Sequence, residues 1–415
     1  DGTVLPADEI SDFTDGSVID LAGFAYGSIT GFTETRDSVT FATADGATRT
    51  LHVDGIGAYA GQLSRAADGS TLFETCFAAG TLIATPDGER PVEEIRPGEL
   101  VDTPEGPRAV VWCGHRTVDV TRLPDPEDHW LVRIRAGAFA DAMPWRDLWV
   151  TGEHGILVDG GLVPARMLVN GGSILLDRTR PRYTFHHLEL VRHGILFAEG
   201  LPAESYLDTG NRVAFANADV AALRLPAAGA ASSARWASDA AAPLLTDRAR
   251  VEPIWRRLVA RATAMGRMHG AEAVRVARGA DPKLRLGLAD GTELAGAEWS
   301  GGRACFVLPP GALAIRLLSC STRPSDVVGP FVDDRRRLGV AVERLVLRDD
   351  GDETVLTVEA AALGGTGWHD LEGRARWTDG SACLRLPAAG AAARLEVHLA
   401  TAGDCQVLEP ATVAA

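Results

Sequence analysis

A chain of 415 residues with 46 % hydrophobic side chains has enough apolar surface for two or three packed cores. Its formal net charge of −15 sets a mean field that repels phosphates, which argues against nucleic acid and anionic membrane surfaces as partners. No run of about 18 apolar residues marks a transmembrane helix, and the start at Asp1-Gly2 shows no basic, signal-peptide-like leader, so secretion or a cell-surface location stays open.

With 45 Gly and 22 Pro and few stretches of helical period, the composition favours a mainly β protein with many turns. Cys76, Cys113, Cys305, Cys320, Cys383 and Cys405 show no C-x-x-C spacing. The expectation is mostly free thiols, no metal site and no cofactor.

Residues 1–75 read as a small N-terminal β module. Residues 18–21, 38–42 and 48–53 alternate apolar and polar side chains, and Asp45-Gly46 is a hairpin turn signal. His52 sits alone on one of these strands and carries no evident chemistry.

Residues 76–212 form a second block. Strands are predicted at 81–85, 90–94, 100–103, 108–113, 130–134, 148–151, 155–158, 161–164, 184–190 and 194–198, with a single helical turn at 165–169. Turn signals such as Asp87-Gly88, Pro97-Gly98 and Asp159-Gly160-Gly161 separate them. Residues 213–279 follow as an Ala-rich linker and a helical segment. Apolar groups recur at helical spacing over 246–278, Thr246-Asp247 offers an N-cap, and Gly266 and Gly270 interrupt the pattern into one or two helices. Residues 280–415 return to alternating strands around Asp290-Gly291, Asp350-Gly351 and Asp379-Gly380, which suggests a C-terminal β-sandwich.

The chemistry centres on Thr75-Cys76. A cysteine that attacks the peptide bond on its own N-terminal side needs its thiol near the preceding carbonyl, a proton donor for the departing amine, and a polarised or strained amide. Thr151 and His154, three residues apart across a turn between two predicted strands, supply a hydroxyl and an imidazole on one small loop. His154 would act as general acid and Thr151 would hold the amide. Read alone, the pair is better taken as turn residues satisfying loop backbone.

Taken together the motifs are more specific. Cys76-Phe77-Ala78-Ala79-Gly80-Thr81, then Pro91-Val92-Glu93-Glu94-Ile95 and Pro97-Gly98-Glu99-Leu100-Val101, then Thr151-x-x-His154, then the run from His187 through His193 to Leu201, resemble the Hint family. This is the self-processing domain shared by inteins and the C-terminal part of hedgehog proteins. Ala203-Glu204-Ser205-Tyr206-Leu207-Asp208-Thr209-Gly210-Asn211-Arg212 is similar to a bacterial subgroup that departs from classical inteins.

The resemblance implies a horseshoe-like all-β domain with Cys76 as nucleophile of an N-to-S acyl shift. It implies Thr151 and His154 as the activating pair, and His193 in the place of the histidine that assists C-terminal cleavage in inteins. His193 as a packed strand histidine stays open. His186 and His187 are neighbours on a strand, so at most one faces the site. The subgroup lacks the C-terminal His-Asn of splicing inteins, because Ala203-Glu204 stands there and Glu carries no amide nitrogen to cyclise. The expected outcome is N-terminal cleavage or acyl transfer of residues 1–75 to water, a small thiol or an amine, rather than splicing.

Two other readings stay open. One is a degenerate Hint domain acting as a structural or binding scaffold. The other is a carbohydrate-binding protein, or one with a protein partner, whose tail carries Trp368, His369, Glu372 and Trp377 among arginines.

Overall fold

The computed structural model describes residues 75–123, 126–208, 215, 236–268, 282–295, 302–349, 352–356, 358, 366–387 and 393–400. It also describes the backbone of strands at 29–35, 38–43, 48–52, 275–279, 298–300 and 405–409. The protein is mainly β, built from antiparallel sheets with few helices. The strands expected at 38–42 and 48–53 are present, and with Ile29–Thr35 they form a three-stranded sheet. Residues 18–21 lie outside the described residues.

The chain divides into two compact units, the first built on residues 52–271 with 330–333. Its frame is two sheets. The seven-stranded sheet runs in the order Ile174–Asp177, Leu131–Ile134, Leu148–Val150, Phe77–Ala78, Arg182–Leu190, Arg108–Asp119 and Leu100–Val101. The six-stranded sheet runs Gly161–Pro164, Gly155–Val158, Leu201–Glu204, Ile195–Ala198, Leu82–Thr85 and Gly88–Pro91. The chain passes from the first sheet to the second at Ala79–Thr81, at Thr151–His154 and at Val191–Gly194.

Local chemistry explains the crossings. Gly80 has φ +84°, a backbone region open to glycine, and this lets the chain leave the first sheet directly after Phe77–Ala78. The Gly155–Val158 and Gly161–Pro164 hairpin closes on Asp159 (φ 49°) and Gly160 (φ 77°), the two positive φ values of a twist-compatible two-residue turn. Ile83, Val132, Ile134, Leu148, Val150, Ile156, Leu188 and Leu196 meet in one core.

The helix departs from expectation. It covers Arg248–Ala264, not 246–278, and residues 275–279 are a strand. Asp247 caps it by accepting the Ala249 N–H at 2.6 Å, and Gly266 (φ 66°) follows its end. Val251, Ile254 and Leu258, on one face, pack into the core of the first unit. The second unit holds a four-stranded and a seven-stranded antiparallel sheet that share a core around Leu286, Phe306, Leu317, Leu345, Leu384 and Val397. Trp368 packs against that core and donates to the Cys383 carbonyl. Trp377 donates to Glu372, Arg336 pairs with Asp334 and Glu372, and His369 bonds the Arg337 carbonyl, so these polar groups satisfy one another.

Candidate functional site

Cys76 opens the short strand Phe77–Ala78, which lies between Leu148–Val150 and Arg182–Leu190. The pairing of Val150 with Phe77 brings the residue after that strand, Thr151, level with Cys76. The Thr151 N–H donates to the Cys76 carbonyl at 2.9 Å. The Cys76 N–H, the nitrogen of the Thr75–Cys76 peptide bond, donates to Thr151 Oγ1 at 2.8 Å. Cys76 is wholly buried and Thr151 nearly so, so this bond forms away from competing water.

The Thr151–His154 turn is braced from outside. Its Gly152 carbonyl accepts the Arg166 N–H at 2.8 Å, and the His154 carbonyl accepts the Ala165 N–H at 2.9 Å. The Arg166 guanidinium is nearly buried between Glu153 at 2.7 Å and Asp333 at 2.7 Å. Two carboxylates offset the cost of burying that one cation. Glu153 is thereby turned to the bracing side of the turn, and His154 goes inward.

His154 is fully buried against Phe77, with ring centroids 4.2 Å apart. Neither of its ring nitrogens has a hydrogen bond of ordinary geometry. Burial pushes its pKa down from 6.5 to about 4. The charge of Glu204 and the Thr75 backbone work against that shift. Only the carbonyl of that backbone can favour the imidazolium, which places it toward the ring. At neutral pH His154 is therefore uncharged and receives a proton before it can give one.

The structure brings in a residue that sequence reasoning set aside. Along Arg182–Leu190, Tyr183, Phe185 and His187 share the buried face, and His186 lies half-buried against His115. His187 Nδ1 accepts the Leu188 N–H at 3.1 Å, so the neutral ring carries its proton on Nε2. That Nε2 lies 3.0 Å from Thr75 Oγ1 and donates to it. Burial, with His154 and His193 nearby, holds the His187 pKa well below its ordinary value. The alternation of 183, 185 and 187 was the signal that could have found it.

His193 stands apart from the Cys76 amide. Its Nδ1 accepts the Ala241 N–H at 2.9 Å, which leaves the proton on Nε2, 3.5 Å from Glu204 Oε2. Glu204 is buried, and its Oε1 accepts the Gly155 N–H at 2.6 Å. Ser205 is also buried: its Oγ accepts the Gly194 N–H at 2.9 Å and its N–H donates to the Gly194 carbonyl at 2.8 Å. Among the described residues no group of three His, Cys, Asp or Glu side chains is placed to hold a metal ion. No described helix is long and apolar enough to cross a membrane.

A mainly β domain that buries a cysteine beside a Thr-x-x-His turn, where the chain crosses between two sheets, belongs to the intein-like class. Residues 75–210 match the Hint domain family, so the chain carries a Hint domain, and this supports a function of the general autoprocessing type. Three solved structures are similar to it. A bacterial intein-like domain from Clostridium thermocellum is 16 % identical, with 32 % of this chain and 100 % of that one covered and a TM-score of 0.25. The gp41-1 intein is 14 % identical (31 % and 96 % covered, TM-score 0.23), and the MchDnaB-1 intein is 11 % identical (31 % and 99 % covered, TM-score 0.23). No curated protein matches the chain.

Proposed function

We propose that the domain cuts the Thr75–Cys76 bond by an N-to-S acyl shift. Cys76 Sγ attacks the Thr75 carbonyl carbon, a C–S bond forms, and the C–N bond to Cys76 breaks. The thiol proton passes to neutral His154 and from there to the departing Cys76 amine, so no outside proton is consumed. Thr151 holds that nitrogen throughout. The observation that carries this reading is the 2.8 Å bond from the Cys76 N–H to Thr151 Oγ1, which fixes the scissile nitrogen in a buried site.

The thioester is less stable than the amide, so a later acceptor (water, a small thiol or an amine) draws the reaction on and releases residues 1–75. The β-branched Thr75 crowds its carbonyl and slows that step. Residues 76–212 act as the processing domain and residues 280–415 as an attached β module with a glycan or protein partner. Glu204 has no amide nitrogen with which to cyclise, so no C-terminal cut follows.

The test is the mass of freshly purified protein over time, with and without added thiol. Thiol-dependent release of residues 1–75, absent in Cys76→Ala, is the expected result. An intact mass at every thiol concentration sinks the reading. It would favour the second one, a degenerate Hint domain used as a scaffold, for which the complete burial of Cys76 speaks.

A further inference from the structure

Glu204 lies near the C-terminal end of the Hint-family match, and its side chain turns back into the domain. It ends the strand Leu201–Glu204, whose Ala203 pairs with Ile156 of the strand Gly155–Val158. This pairing sets the carboxylate against the peptide that follows His154. Oε1 takes the Gly155 N–H at 2.6 Å. A methyl group at Gly155 would come within 3.0 Å of the Glu204 Cδ and Oε1, so glycine is what permits the approach. On its other side the carboxylate faces the His193 Nε2–H at 3.5 Å, and Ile195 pairs with Glu204 to hold that distance.

Resting on the acyl-shift reading, we propose that Glu204 is the positioning residue of the N-terminal reaction, holding the His154–Gly155 peptide and supplying the negative charge that offsets a transient His154 imidazolium. A buried imidazolium without a counter-charge is costly. The other titratable side chains that meet it in the site are His187 and His193. Both of those histidines disfavour a further positive charge through burial or mutual repulsion, and Glu153 is committed to Arg166. Glu204 is the one described carboxylate whose charge lifts the His154 pKa.

Two measurements on the full chain decide it. In the first, thiol-induced release of residues 1–75 is timed for the wild type, Glu204→Gln and Glu204→Asp, with thermal unfolding as a fold control. Gln keeps an acceptor for the Gly155 N–H and loses the charge, so release slows roughly ten- to a hundredfold. Asp keeps the charge and stays closer to the wild type. Release by Glu204→Gln at the wild-type rate overturns the proposal, and so does equal loss in both variants at unchanged melting temperature. In the second, histidine ring shifts are titrated by NMR in the non-cleaving Cys76→Ala chain. There Glu204→Gln moves the His154 midpoint further below 4, and an unmoved midpoint overturns the proposal. A wild type that never releases residues 1–75 would defeat the acyl-shift reading, while the titration still decides the role of Glu204.

Discussion

The two ends of the Hint domain are met by different groups and in different ways. At Thr75–Cys76 the side chains gather around the peptide bond: Thr151 on its nitrogen, His187 on the hydroxyl beside it, and His154 packed on Phe77 next to it. At Glu204–Ser205 the side chains reach away from their own junction to neighbouring turns. Ser205 is bonded to Gly194 at two points, and Glu204 is bonded to Gly155. On the proposed reading, the difference is that polar groups address the amide at one junction, while at the other the junction's own polar groups are satisfied elsewhere.

The sharpest way to break the comparison is at Cys76. Cys76→Ala removes the nucleophile and should abolish release of residues 1–75, read by mass; residual release would locate the chemistry at another residue. Next is Thr151→Val, which keeps the shape of the side chain and removes the acceptor for the Cys76 N–H. Release should slow by about 10²- to 10³-fold, as when one positioned polar group is taken from a reacting centre. A drop of less than threefold or so would mean that the bond holds the turn rather than the reaction.

The buried histidines give a prediction in stability. In the folded chain the His154 pKa is about 4, against an ordinary value of 6.5. Between those values the unfolded chain binds a proton that the folded chain does not. Stability is therefore complete above about pH 6.5 and falls as the pH drops toward 4, by about 3 kcal/mol for this residue. His187 shifts in the same direction and adds to the loss. Glu199, raised by burial, works in the opposite sense and offsets part of it. Urea unfolding at pH 7 and pH 4.5 should show the decline, and His154→Gln should flatten it. An equal decline in His154→Gln would place the acid sensitivity elsewhere.

Much of this was legible before the fold was known, and the gaps have physical reasons. The Thr151–His154 turn and the hairpin at 155–164 could be read because turn chemistry is local: Asp159 and Gly160 fix it within two residues. The strand Leu201–Glu204 was missed because Pro202 argues against an interior strand, yet it pairs with Phe197 in the sheet. The helix ends just before Gly266, where the sequence signalled an interruption, and the strand at 275–279 was missed because apolar spacing alone does not separate a short strand from a second helical turn. His187 was passed over in favour of His193 because adjacency on a strand shows that one histidine faces inward but not what it meets there. The inward turn of Glu204 depends on Gly155, a residue 49 positions away, and such a contact leaves no local trace.

The smallest expected effect tests the structural end. Ser205→Ala leaves the Gly194 N–H without its side-chain acceptor in a part-buried turn, and should lower stability by about 1 kcal/mol. The same change should leave release of residues 1–75 within about twofold of the wild type, because Ser205 addresses the turn after His193 and not the Cys76 amide. Melting temperature and thiol-induced release, measured on one preparation, separate the two quantities. If release fell severalfold while the melting temperature held, the clasp at Gly194 would be setting His193 and Glu204 for the reaction. The coupling proposed for Glu204 would then extend to Ser205, and the contrast between the two ends would be lost.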